Sequence, residues 1–472
     1  MTITTLRHHG GATRRLALAG ASLGLLGTLA VAPHAVAASG GTPVDGVWLT
    51  DGYGSVIEIA DGRAQSYETT SISCAKGPAA PQTGPVGADG TVRFADDGFD
   101  FTVKADRTRT RAVLHIDSSA GDRHLRRLAA LPAACTRPGP TGPLATFDVF
   151  WTTFAENYPF FAAKGVDWDA VRDRYRPRVR PDMTGDQLFD LLAEAITPLG
   201  DAHTGIRTDK RQYIGHRPGT TFPTQELENK IKPFIVRRDL DGRPLHEFAR
   251  GRIGYADLPG HIGYLRLIAF AGYTEDGYAA DAAELDRAVN TVFTKRRTDA
   301  LRGLIIDLRI NGGGADPLGL QLAGRLTPHS YLAYSKRARN DADDPTRFTR
   351  PQRLRVQPAK APIYTGPIAV LTGGSTISAG ETFTQALLDR SPRPVRIGAN
   401  TQGVFSDTLV RTLPNGWMFI LPNEEFLTRS GRTFDGTGIP PHVRTPVFTD
   451  EEFAENRDSA FDRAVALLRH QR

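Results

Sequence analysis

Short runs of alternating apolar and polar residues fill the stretch from about Thr42 to Cys135, as in 91–94, 99–103 and 112–116. A period of two is that of a strand with one buried face. Asp-Gly pairs beginning at Asp45, Asp51, Asp61, Asp89 and Asp97 punctuate the runs, and Asp-Gly supplies the positive φ that tight hairpins require. The expectation is a small β-barrel or sandwich, followed by a stiff Pro/Gly linker over 136–143. The period then changes. Phe147, Phe150, Trp151, Phe154 and Tyr158 recur at three and four residues, Trp168, Val171 and Tyr175 form a second set, and Leu188, Leu191, Leu192 and Ala195 a third. These predict amphipathic helices, the third opening on Thr184 and Gln187 in capping-box spacing and stopping at Pro198 and Gly200.

From residue 261 strands and helices alternate. Strands are expected over 262–268, 304–308, 368–371 and 395–398, with helices through Leu285, Val289 and Phe293, from near Pro317, and over 378–388. Such alternation implies an α/β core with a largely parallel sheet. A hairpin turning at Pro414-Asn415-Gly416 is expected to complete that sheet. The organisation read from the chain is 1–37 leader, 38–135 β domain, 136–143 linker, 144–215 helical subdomain, 216–260 connecting region, 261–450 α/β core and 451–472 C-terminal helix. With 472 residues, more than one domain is expected.

Composition changes this picture in two places. Arg7, Arg14 and Arg15, an apolar run over 16–32 and Ala35-Val36-Ala37 read as a signal peptide, which implies an exported protein. Losing these three arginines and no acid lowers the formal charge from +6 to +3, too small an excess to argue for nucleic acid. After the leader, no stretch reaches the roughly 20 apolar residues of a membrane span. In an exported chain Cys74 and Cys135, the two cysteines, are expected to form one disulfide. No His/Cys cluster has metal-ligand spacing, so no metal or other cofactor is expected.

Two strand-to-helix turns carry the candidate chemistry. Asp307-Leu308-Arg309-Ile310-Asn311-Gly312-Gly313-Gly314 offers backbone amides to a ligand, as an oxyanion hole requires; a plain tight turn is the simpler reading. Gly373-Gly374-Ser375-Thr376-Ile377-Ser378-Ala379-Gly380-Glu381 places a serine hydroxyl at a helix N-terminus beside the Ala379 amide. Ser378 and Glu381 also have capping-box spacing, which would make Ser378 a structural N-cap. A nucleophilic serine needs a base, and His203 lies in the glycine-bounded turn Gly200-Asp201-Ala202-His203-Thr204-Gly205. Asp201 either orients its imidazole or caps the turn. His442, with Asp435 before it, is a second candidate.

Gly-Asp-Ala-His-Thr-Gly, Asp-Leu-Arg-Ile-Asn-Gly-Gly-Gly, Ser-Ala-Gly-Glu and Gly-Thr-Gly-Ile-Pro-Pro, in this order from about Phe147 to Val447, resemble the tail-specific and tricorn-core serine peptidases. The resemblance implies an α/β core of the spiral ClpP/crotonase-like kind with a helical subdomain, preceded here by the all-β domain. It implies Ser378 as nucleophile, with Ala379 and either Gly313 or Gly312 as oxyanion donors. The tail-specific branch uses a lysine base where this chain has Val404, so the tricorn-like branch is implied, with His203 as base and Asp435 in place of its usual glutamate. Ala202 stands where that branch has serine. The family's PDZ domain has no clear counterpart in 206–260. A secreted or extracytoplasmic peptidase acting on peptide or protein substrates is the expected function. An esterase using Ser378, Asp435 and His442, or a non-catalytic ligand-binding protein on the same scaffold, are the alternatives.

Overall fold

The computed structural model describes residues 41–96 and 99–470. The basic leader and its cleavage site lie outside them. The first eight strands, from Gly46–Thr50 to Arg123–Leu128, form an antiparallel meander whose first strand also pairs with its last, Trp48 opposite Arg127. A bridge between Gln82 and Phe94 joins the fourth strand's end to the fifth, closing the sheet into a barrel. Closure removes both exposed edges. Trp48, Phe94, Phe101, Val103, Leu114 and Leu125 fill its interior from alternate positions. Between Ser55–Ala60 and Arg63–Thr69, Asp61 and Gly62 take φ of 51° and 70°, as the Asp-Gly pattern requires. Cys74 and Cys135 are disulfide-bonded, Cα atoms 4.9 Å apart. Cys135 belongs to the short turn Ala133–Thr136 rather than to the barrel's last strand.

Phe147, Phe150 and Phe154 of the helix Gly142–Asn157 pack with Trp168 and Leu192 in one apolar cluster. The helix Gly185–Ile196 opens with the expected box, Thr184 and Gln187 exchanging main-chain to side-chain hydrogen bonds of 3.0 and 3.3 Å. It runs into a turn closed by Gly200 at φ 50°.

The core is a seven-stranded sheet. Its order is His246–Phe248, Ile253–Leu258, Ile262–Leu267, Gly303–Asp307, Ile368–Thr372, Val395–Gly398 and Val443–Arg444, antiparallel over the first three strands and parallel thereafter. Residues 246–258, read from sequence as part of the 216–260 connecting region, thus extend the core sheet. The helices Tyr278–Val292, Asp316–Gly324 and Ala379–Ala386 cover one face, and Gln225–Phe234 with Ser459–His470 the other.

The hairpin Thr408–Thr412/Met418–Pro422 departs from expectation. It leaves the parallel core and joins a separate four-stranded sheet, where Met418–Pro422 pairs with Gly205–Arg207, the strand that follows the His203 turn. Its Phe419 and Leu421 find apolar partners on the helical subdomain, Phe419 lying 5.2 Å from the ring of Phe150. That packing, invisible to local pattern, decides its sheet. The barrel docks on the same region: the Tyr53 hydroxyl donates to Glu424 at 2.6 Å, and Glu68 accepts the Thr412 N–H at 2.7 Å.

Beneath the glycine turn, Arg309 is 1% exposed and donates to both Asp307 and Asp458, the latter through two bonds of 2.6 and 2.7 Å. Removing one partner of a buried pair strands the other charge. Asp458→Ala is therefore expected to lower the unfolding free energy by about 3–5 kcal/mol in a urea titration; a loss under about 1 kcal/mol would mean that Asp307 alone suffices for Arg309.

Candidate active site

The strands Gly303–Asp307 and Ile368–Thr372 run parallel with Asp307 opposite Leu371, so both glycine-rich turns leave the sheet at one edge. Main-chain hydrogen bonds stitch them together: Ile377 N–H donates to Asn311 O at 2.9 Å. Ser378 precedes the helix Ala379–Ala386 with φ 54° and ψ −120°, a conformation that residues with a Cβ rarely hold. Its hydroxyl stands in the capping-box arrangement toward the Glu381 main chain without forming a hydrogen bond of full geometry. Its N–H instead faces the Val404 carbonyl at 3.1 Å and the Glu381 carboxylate at 3.3 Å. The capping-box spacing read from sequence is thus realised, its firm hydrogen bond running from the Ser378 N–H to Glu381.

Gly313, at φ 79°, lies against this turn. A side chain there would meet Ser378 Cβ at 2.6 Å, Ile377 O at 3.0 Å and Ala379 N at 3.2 Å. The space beside the serine's Cβ and the first helical amide therefore exists because residue 313 has no Cβ. The amides of the two glycines named from sequence are engaged, Gly312 with Ile268 O at 2.9 Å and Gly313 with Asn311 Oδ1 at 3.0 Å. Asn311, fully buried, also donates to Leu267 O at 2.9 Å and so fixes the turn's shape.

His203 is 2% exposed, on a turn that Asp201 organises. Asp201 Oδ1 accepts the main-chain N–H of His203 at 2.9 Å and Oδ2 the Tyr158 hydroxyl at 2.8 Å, so Asp201 caps the turn. The imidazole Nδ1 is buried and has no hydrogen-bond partner among the described residues. Burial holds the His203 pKa below the ordinary histidine value, against the pull of the Asp201 and Asp407 carboxylates. Ala202, Ile377 and Val404, the neighbours of the histidine and the serine and the residue in the lysine's place, share one small apolar cluster with Phe222 packed on it. Three segments far apart in the chain meet there.

Asp435 is 4% exposed and accepts the Phe405 N–H at 3.2 Å and the Thr433 hydroxyl at 2.5 Å. Burial pushes its carboxyl well above the usual range, with the Asp201 and Glu381 charges adding to the effect. Its charge is felt at Tyr158, whose phenol is pushed up chiefly by burial and next by Asp201. The structure does not bring Asp435 to His442, which is exposed and accepts the Arg396 N–H through Nδ1 at 3.0 Å.

Three contributors went unrecognised in the sequence. Arg217 donates to the carbonyls of Gln402 and Thr401 at 2.9 and 2.7 Å, and Thr221 and Ser375 pair at 2.6 Å, so the 215–222 segment straps the serine turn to the 401–404 loop. Tyr158, read only as an apolar helix position, turns its hydroxyl to Asp201. No local pattern distinguishes such residues, because their partners are 43 to 185 positions away.

A strained serine on a strand-to-helix turn thus faces a side-chain-free glycine at a parallel sheet edge of an α/β core. Residues 261–445 match Peptidase family S41 and residues 144–197 match the Tricorn protease C1 domain. Over these segments the chain resembles the tail-specific and tricorn-like members of peptidase family S41. It is 29% identical over 215 residues to a carboxy-terminal-processing protease of Bartonella bacilliformis, covering 45% of each chain. It is 23% identical over 255 residues to a chloroplastic C-terminal processing peptidase of Tetradesmus obliquus, covering 53% of this chain and 49% of that one. The matched region thus spans about half the length of each curated relative. A crystal structure of a candidate peptidase from Parabacteroides merdae ATCC 43184 shares the fold, with a TM-score of 0.58 and 24% identity over 70% of this chain and 97% of that one. Among the described residues no helix is long and apolar enough to cross a membrane.

Proposed function

We propose that this protein is an exported serine peptidase that cleaves peptide or protein substrates through an acyl-enzyme on Ser378, with His203 as general base and no cofactor. The observation that carries the reading is the strained Ser378 at φ 54°, held open on one side by Gly313. In this reading His203 Nε2 takes the hydroxyl proton, Ser378 Oγ attacks the scissile carbonyl, and His203 returns the proton to the leaving amine. Water then repeats the cycle on the ester. The Ala379 N–H receives the developing oxyanion, joined by the Gly313 N–H as it leaves Asn311 Oδ1. Asp435 acts at one remove, behind Tyr158 and the Asp201-capped turn. The core is assigned to the spiral ClpP/crotonase-like kind, and the signal-like leader with the Cys74–Cys135 disulfide supports an extracytoplasmic location.

Labelling of the purified chain by a fluorophosphonate, with the modified residue located by mass spectrometry, tests this reading. Modification at Ser378 that is lost in His203→Ala supports it. A folded protein that stays unlabelled would favour a ligand-binding protein, the alternative to which the partnerless Nδ1 gives weight. Because the folded pKa of His203 is depressed, the base stays neutral below the ordinary 6.5. Its stability contribution is complete above 6.5 and is lost as pH falls through the folded value. Titration of His203 observed by NMR is accordingly expected below pH 6.5; a midpoint above it would place the imidazole in a polar, ion-paired setting instead.

A further inference from the structure

Glu381 is fully buried in the first turn of the Ser378 helix and is the single ionisable residue of Ala379–Ala386. Its Oε1 accepts the Gly403 N–H at 2.6 Å, and its Oε2 accepts the Val404 N–H at 2.8 Å and the Ser378 N–H at 3.3 Å. A capping box would require only the last of these. The other two reach the loop that stands in the place of the tail-specific lysine, and the Val404 carbonyl returns a bond to the Ser378 N–H at 3.1 Å.

We infer that Glu381 is a positioning residue for Ser378, holding the nucleophile's strained main chain and the Gly403–Val404 loop in register only while it is an ionised carboxylate. The inference rests on Ser378 being the nucleophile. The reason lies in the partners: the three main-chain groups are all N–H donors and each oxygen faces at least one of them, so the group between them accepts at both oxygens, while the Thr401 hydroxyl beside it can serve either way. A protonated carboxyl, or an amide, turns a donor toward a donor and forfeits at least one bond. The strained φ at Ser378 persists only where its surroundings over-determine it, so a lost tether lets the serine relax away from the reacting geometry.

Arg217, from the 215–222 strap, and Asp435, from beyond the hairpin, are the charged or titratable groups whose fields couple to Glu381. Burial pushes the Glu381 pKa up to about 7 against the pull of the Thr401 hydroxyl and the three N–H donors. The clamp is thus complete above that pH and loosens below it. The stability effect has the opposite sign: a raised folded pKa contributes stability that is present below the ordinary 4.5 and is lost as pH rises through about 7. Reactivity and stability contributed by this one group therefore run in opposite directions across neutrality, which a merely structural carboxylate would not produce.

The test is the rate of fluorophosphonate labelling of the full chain from about pH 5 to 9, in wild type and Glu381→Gln, with thermal melting at each pH. Wild-type labelling is expected to rise with a midpoint near 7. Glu381→Gln is expected to label roughly 10- to 100-fold more slowly above neutrality, with no inflection near 7, while melting as a folded protein. A folded Glu381→Gln with the wild-type rate and midpoint would overturn the inference. Should that variant not fold, the wild-type profile decides: reactivity level down to below pH 6.5 would overturn it equally. A wild type unlabelled at every pH would remove the Ser378 reading itself, a result distinguishable from failure of the clamp alone.

Discussion

Ser378→Gly is expected to abolish fluorophosphonate labelling and peptide hydrolysis while making the protein more stable. The two halves have one origin. The hydroxyl is the reacting group, and deleting a serine nucleophile of this kind removes on the order of 10⁶ in kcat. The residue that carries it also sits at φ 54° and ψ −120°, where a Cβ is strained and glycine is not. Relief of that strain is expected to raise the unfolding free energy by about 1 kcal/mol in a denaturant titration. Ser378→Ala is expected to lose the same activity without the gain. This pattern marks a site where strain is retained for reactivity. A glycine variant that was less stable than wild type would instead return Ser378 to a structural cap.

Gly313→Ala is the second large effect. Gly313 has φ 79°, and the added methyl would lie 2.6 Å from Ser378 Cβ and 3.2 Å from Ala379 N. These neighbours are backbone or next to it, so they cannot swing aside as a long side chain would. Labelling is expected to fall by roughly 10²- to 10³-fold, the loss typical of a damaged oxyanion site. Stability is expected to fall by about 1–3 kcal/mol from strain and crowding. Gly431→Ala separates the two causes. Gly431 has nearly the same φ, 77°, but no atom within 4 Å of the added methyl. It should incur the backbone strain and leave labelling unchanged. Equal losses of labelling in the two variants would mean that the Gly313 effect is one of folding rather than of the site.

Much of this was legible in the chain because the determining signals are local. Period two and Asp-Gly pairs specify the barrel's hairpins, and Asp61-Gly62 has the positive φ values its turn demands. The spacing of Phe147, Phe150 and Phe154 specifies a helix face, and Thr184 with Gln187 specifies where another begins. Ser378, Gly313 and His203 each announce themselves by lying in a glycine-bounded turn next to a strand or helix end, where the backbone has few alternatives.

Contacts between distant segments were not legible, because a side chain's partner depends on where the sheet brings other segments and not on its own neighbours. The spacing of Ser378 and Glu381 reads as a cap, yet two of the three bonds to the Glu381 carboxylate come from residues 22 and 23 positions further on. Asp201, two residues from His203, satisfies its main chain and leaves the imidazole Nδ1 alone. The hairpin at Asn415 has every mark of a strand pair, but only the apolar faces of Phe150 and Phe154 decide which sheet receives it. By itself, then, the sequence determined the elements, the glycine-rich turns and the residues available for chemistry, since these follow from backbone freedom and hydrophobic period. Tertiary structure alone decided which donors, charges and apolar walls each of those residues meets, because burial and hydrogen-bond competition are settled only when all the segments are packed.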